Sequence, residues 1–127
     1  VAGARPPVAW LVVAGGDHVA GDEGSFSWDG LVSDAPWIVG RASGSATAGV
    51  PLEIAFEPDG VRQATWATQW APVADGAAGD PVPGASGGGE PIRLLPPAEA
   101  GPWSLALTAT FGPGRTATWF WQIEVRR

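Results

Sequence analysis

The sequence predicts an all-β fold, a two-layer antiparallel β-sandwich of immunoglobulin-like topology built from about seven to eight short strands. Three observations carry this expectation. Large apolar side chains recur with a period of two, the signature of a half-buried strand, nearly everywhere a period can be measured. Turn-forming residues, 19 Gly and 13 Pro among 127, punctuate the chain into short segments. No stretch keeps a helical period beyond about two turns. The length suits one domain spanning residues 1–127.

Gly and Pro at this level border on the composition of disordered chains. The 8 Trp argue for order, because each indole brings a large apolar surface that must be buried to offset the entropy of ordering the chain. The expected elements follow in order. Residues 8–14 form an apolar run that stops at Gly15-Gly16-Asp17, after which residues 18–20 return antiparallel. Residues 24–28 make a third strand. Leu52, Ile54 and Phe56 alternate with Glu53, Ala55 and Glu57, and Pro58-Asp59-Gly60 is expected to turn the chain into residues 61–71 as a hairpin. Residues 72–91, rich in Gly and Pro, hold nothing suited to a regular ladder and are expected to be a long surface loop. A short strand at residues 92–95 leads through Pro96-Pro97 to the strongest pattern in the chain. There Trp103, Leu105, Leu107, Ala109 and Phe111 share one face, Gly112-Pro113-Gly114-Arg115 turns, and Ala117, Trp119, Trp121, Ile123 and Val125 share the same face on the return. A slip of one residue would send every one of these side chains to the wrong side, so the two Trp-bearing faces set the register.

Charge and composition exclude several function classes. The formal net charge is −6, from 13 acidic and 7 basic residues, all of the latter Arg. Such a surface repels phosphate backbones, so nucleic acid is not an expected partner. Without Cys or Met there is no disulfide, thiolate metal site or thiol nucleophile. No apolar run reaches the roughly 18 residues that span a bilayer, and the opening ten residues lack the charged start and apolar centre of a signal peptide. Either no export signal belongs to this protein or the chain is the mature portion of one.

No catalytic residue, metal or cofactor is expected. His18 is the only imidazole, and although Ser25 or Ser27 on a neighbouring strand could approach it, GSFSW is not the strained G-x-S-x-G elbow of hydrolases. Asp75, Asp80 and Glu90 fit no calcium-binding frame and read as solvated loop carboxylates. Gly15-Gly16 and Gly87-Gly88-Gly89 do not stand between a strand and a helix, as a phosphate-binding loop requires. Glu53 and Glu57 read as solubility residues on an outer strand face. Trp66, Thr68 and Trp70 share one strand face. Core packing is the favoured reading for at least one of these indoles, and the alternative is an exposed aromatic platform for sugars. Phe120 stands among polar neighbours, Thr118 and Gln122, which marks it as covered by a loop or as a partner contact. Trp66, Trp70 and Phe120 are therefore the candidate ligand-binding residues.

Residues 24–37, GSFSWDGLVSDAPW, resemble the GSYCW-type segment near the start of many small exported bacterial domains, often lipoproteins and mostly uncharacterised. The likeness extends to Pro6-Pro7, to Gly101-Pro102-Trp103-Ser104-Leu105 and to Ala117-Thr118-Trp119-Phe120-Trp121. Ser27 falls where that segment carries its first Cys, and Ser33 lies close to the second, so this chain departs from the pattern at both sites. Here the two Ser are expected to hydrogen-bond the turn as scaffold. The resemblance implies an extracellular or cell-surface, non-catalytic module for binding, adhesion or structure, with a protein or a polysaccharide as partner. Self-assembly through an unpaired strand edge is a further expectation, with residues 8–14, apolar and uncharged, as the candidate edge.

Overall fold

A computed structural model describes residues 6–13, 18–28, 30–33, 43–57, 65–89 and 92–127. The described residues form strands and no helix: β1 Val8–Val12, β2 His18–Ala20, β3 Asp22–Trp28, β4 Leu31–Ser33, β5 Ser43–Thr47, β6 Leu52–Glu57, β7 Thr65–Ala74, β8 Ala77–Ala78, β9 Val82–Gly88, β10 Ile92–Leu94, β11 Gly101–Gly112 and β12 Arg115–Arg126. A four-stranded sheet runs β10-β6-β1-β2. A larger, eight-stranded sheet is built on β4-β3-β12-β11-β7-β8, with β9 beside β7 and β5 beside β12. All pairings are antiparallel except β5 with β12, which is parallel.

One apolar cluster joins the layers, as the period of two requires. Leu11, Leu52, Ile54, Phe56, Ile92 and Leu94 of the small sheet meet Trp28, Trp66, Trp70, Leu105, Leu107, Trp119, Trp121 and Ile123 of the large one. At one end Phe56 bridges the sheets, its ring centroid 5.3 Å from that of Trp119 and 5.1 Å from that of Phe111. The Phe56–Phe111 pair is edge-to-face, an arrangement that adds about 0.5–1.5 kcal/mol beyond area burial. Gly21, between β2 and β3, is where the chain crosses from one sheet to the other. Its N–H donates to the Ala9 carbonyl (2.9 Å), and the Trp121 indole N–H donates to the Val19 carbonyl (2.8 Å). Any Cβ at Gly21 would stand 2.7 Å from the Trp121 ring, so the crossing needs a residue without one.

The hairpin of β11 and β12 has the expected register, with Leu105 opposite Trp121 and Leu107 opposite Trp119. β1 and β2 also pair antiparallel, as expected, while their turn at 15–17 lies outside the described residues.

Four expectations are corrected. The described residues form twelve strands rather than seven or eight, the additional ones being β4, β5, β8 and β9, none of which shows a clear alternation of large apolar side chains. β6 and β7 are not a hairpin: β6 lies between β1 and β10 in the small sheet, β7 between β11 and β9 in the large one. Residues 58–60 lie outside the described residues, and a turn signal in a sequence does not specify the sheet that the next strand joins. Residues 8–14 do not supply an edge, because β1 is paired on both sides, with β2 and β6.

Residues 72–91 are not one long loop. β7 continues to Ala74, Asp75-Gly76 turns the chain at positive φ (53° and 76°), and β8 pairs back. This is the two-residue hairpin geometry that Asp-Gly favours. β9 then pairs along β7, with Trp66 opposite Gly87. The Thr68 hydroxyl donates to the Ala85 carbonyl (2.7 Å), and the Trp66 indole N–H donates to the Gly89 carbonyl (3.1 Å). A Cβ on Gly84 would lie 2.5 Å from the Thr68 hydroxyl and 3.0 Å from the Trp70 ring. The Gly-rich sequence is therefore the strand that leaves room for its neighbour's indoles.

Candidate functional site

The three candidate ligand residues are all buried. Trp66 is 8% exposed and Trp70 is 3% exposed, both packed into the interlayer core, so no aromatic platform stands on this strand. Phe120 is 4% exposed. It does occupy an outer position on β12, but its ring lies over Gly24, where a Cβ would come within 2.3 Å. A bulge in the β3–β12 pairing between Ala117 and Trp119 accompanies this fit. With Ala106 directly opposite it, and Ser104 and Ala71 also buried, Phe120 belongs to a small covered patch on the outside of the large sheet.

The remaining outer surfaces differ in chemistry. On the small sheet, alternation along β1 turns Ala9 and Leu11 inward and Val8, Trp10 and Val12 outward. Trp10 stands mid-strand, opposite Ala20 of β2 and Ala55 of β6, small neighbours that leave the half-buried indole proud of the face. Its N–H donates to the Glu57 carboxylate (2.8 Å). Opposite Val12, Glu53 of β6 pairs with the Arg93 guanidinium of β10 (2.9 Å), both side chains being about half exposed or more. The result is an apolar stripe on a central strand with carboxylates and one guanidinium around it. Trp103 is the other described indole that is not buried, but it packs against the core margin and donates to the Glu99 carbonyl (3.0 Å).

On the large sheet, outward positions carry hydroxyls in register across strands. Ser27, Thr116, Thr110 and Thr65 form one row on β3, β12, β11 and β7. Thr118 and Thr108 form the next, their hydroxyls 3.0 Å apart. Ser25, Ser27, Val32, Thr116 and Thr118 line a shallow hollow of about 210 Å³. A larger, mainly apolar groove of about 410 Å³ is lined by Pro51, Ala85, Arg93, Leu94 and Leu95.

Other residues singled out from the sequence are dispersed. His18 lies on the small sheet opposite Val12, whereas Ser25 and Ser27 lie on the large one. In the GSFSW segment, Ser27 stands opposite Val32 and not opposite Ser33, whose register partner is Phe26. Asp75 belongs to the β7–β8 turn, and Glu90 lies outside the described residues. No group of three or more potential metal-ligating side chains converges among the described residues. No helix among them is long and apolar enough to cross a membrane.

Sequence reasoning missed Trp10 and the hydroxyl rows. The signals were present as Val8-Trp10-Val12 at alternate positions, and as Thr-x-Thr at 108–110 and 116–118 with Ser-x-Ser at 25–27. No protein-family model matches this chain, and no curated protein or solved structure does so either.

Proposed function

We propose that this chain is an exported, non-catalytic binding module, an immunoglobulin-like sandwich that docks a protein partner on the outer face of its four-stranded sheet. The observation that carries the reading is the position of Trp10: a half-buried indole at the centre of a regular sheet face, outside the core, flanked by Val8 and Val12 and edged by Glu57, Glu53 and Arg93. An apolar centre with an aromatic anchor and a polar rim is the anatomy of protein–protein interfaces, and Trp is enriched among residues that dominate their energy. Glu57, together with a chain charge of −6, favours a partner whose rim is basic. The likeness of GSFSW to segments of exported bacterial domains supports the assignment outside the cytoplasm.

Selection of a random displayed-peptide library on the folded protein tests this. Basic, aromatic-containing peptides are expected to dominate, and to lose at least tenfold in affinity for Trp10→Ala. Peptides that bind Trp10→Ala as tightly as the parent would place the docking surface elsewhere and overturn the reading.

A further inference from the structure

The outward face of the large sheet differs in chemistry from the face that carries Trp10. Val32, Ser27, Thr116, Thr110 and Thr65 lie in one register row across five successive strands, and Thr118 and Thr108 in the row beside it. None of these positions is charged, in a chain with 13 acidic and 7 basic residues. Adjacent strands stand about 4.8 Å apart, so the row repeats a hydroxyl at that interval. Such an interval is close to the length that one sugar residue adds to an extended β-linked chain. The Thr108 and Thr118 hydroxyls bond each other at 3.0 Å, and Thr110 and Thr116 stand at 3.5 Å. Each hydroxyl offers one donor and two acceptor sites, so a cross-strand bond leaves capacity for a ligand.

The face is also shaped. Its hollow of about 210 Å³, walled by Ser27, Thr116, Thr118 and Val32, is of the size of a single sugar ring. Val32, 62% exposed, gives that hollow one apolar wall against which the C–H face of a sugar can rest. None of the described residues lining the hollow is charged, so a charged ligand finds no counter-ion among them, and an apolar one would strip water from the hydroxyls without replacing their bonds. A neutral polyhydroxylated chain satisfies both conditions.

We infer that the Ser/Thr rows of the large sheet bind a neutral, extended β-linked polysaccharide running across the strands, with one sugar seated in the hollow beside Val32. This surface is independent of the Trp10 face, and it differs from an aromatic platform because hydroxyl pairing, not ring stacking, makes the contacts.

Affinity electrophoresis in gels containing hydroxyethyl cellulose, with polygalacturonate gels as the charged control, tests the inference. Retardation is expected in the neutral polymer alone. Val32→Glu and Thr118→Glu, each verified as folded by its thermal melt, are expected to weaken it at least tenfold, while Trp10→Ala leaves it unchanged. The inference is overturned if hydroxyethyl cellulose does not retard the parent protein, if both folded variants are retarded as strongly as the parent, or if Trp10→Ala alone removes the effect. In the last case the polysaccharide would sit on the opposite face, which would also replace the protein partner proposed there.

Discussion

Phe120 and Trp10 occupy equivalent positions by alternation, each on the outward side of a strand, yet the molecule treats them oppositely. Phe120 is covered because Gly24, at a bulged pairing, lets the aromatic ring lie against its backbone. Trp10 is flanked by Ala20 and Ala55, which raise nothing beside it, and its N–H is held by the solvated Glu57. An outward position is therefore not the same as an exposed one. What decides is the residue on the adjacent strand, and this is why the Phe120 patch adds to the buried apolar surface while Trp10 keeps part of its ring in solvent.

Substitutions that probe this contrast fall in a clear order. Phe120→Ala is expected to cost as much as a core truncation, about 3–5 kcal/mol, measured by urea denaturation. Thr68→Val comes next. It removes the hydroxyl that satisfies the Ala85 carbonyl, and a loss of about 1–3 kcal/mol is expected, with faster amide exchange along β9. Trp10→Ala should stay within about 1 kcal/mol of the parent stability while weakening binding of the selected peptides at least tenfold. Thus two aromatic residues at equivalent outward positions would separate by several-fold in stability effect. Arg93→Ala is the smallest, about 0–1 kcal/mol, because its pair with Glu53 is 62% and 49% exposed and is screened by solvent and salt.

The same contrast explains how much could be read from the sequence. The β11–β12 hairpin was legible because Leu105, Leu107, Trp119 and Trp121 keep strict alternation on both sides of one turn, which leaves a single register. Trp66 and Trp70 inside the core follow from the same rule, and the sugar platform suggested for them fails because β9 and the small sheet cover that face. β9 itself was not legible. Val82–Gly88 contains no alternating large side chains, and its place depends on Trp66, Thr68 and Trp70 of β7 needing a neighbour without side chains in their way. Asp75-Gly76 was the one local sign that the chain turned back there. The burial of Phe120 likewise depends on a glycine in a distant strand, a non-local fit that periodicity does not encode. Trp10 lay in plain alternation, but within a run so apolar that its two faces were not distinguished.

The division of indoles between a dry interlayer and an outer face underlies the docking surface proposed around Trp10. Hydrogen exchange of the indole N–H groups, followed residue by residue by NMR, tests it most directly. The Trp121 proton, bonded to the Val19 carbonyl between the sheets, and those of Trp66 and Trp70 are expected to exchange only with large-scale opening, whereas that of Trp10 exchanges orders of magnitude faster. Exchange of Trp66 or Trp70 as fast as that of Trp10, or protection of Trp10 equal to that of Trp121, would contradict the account.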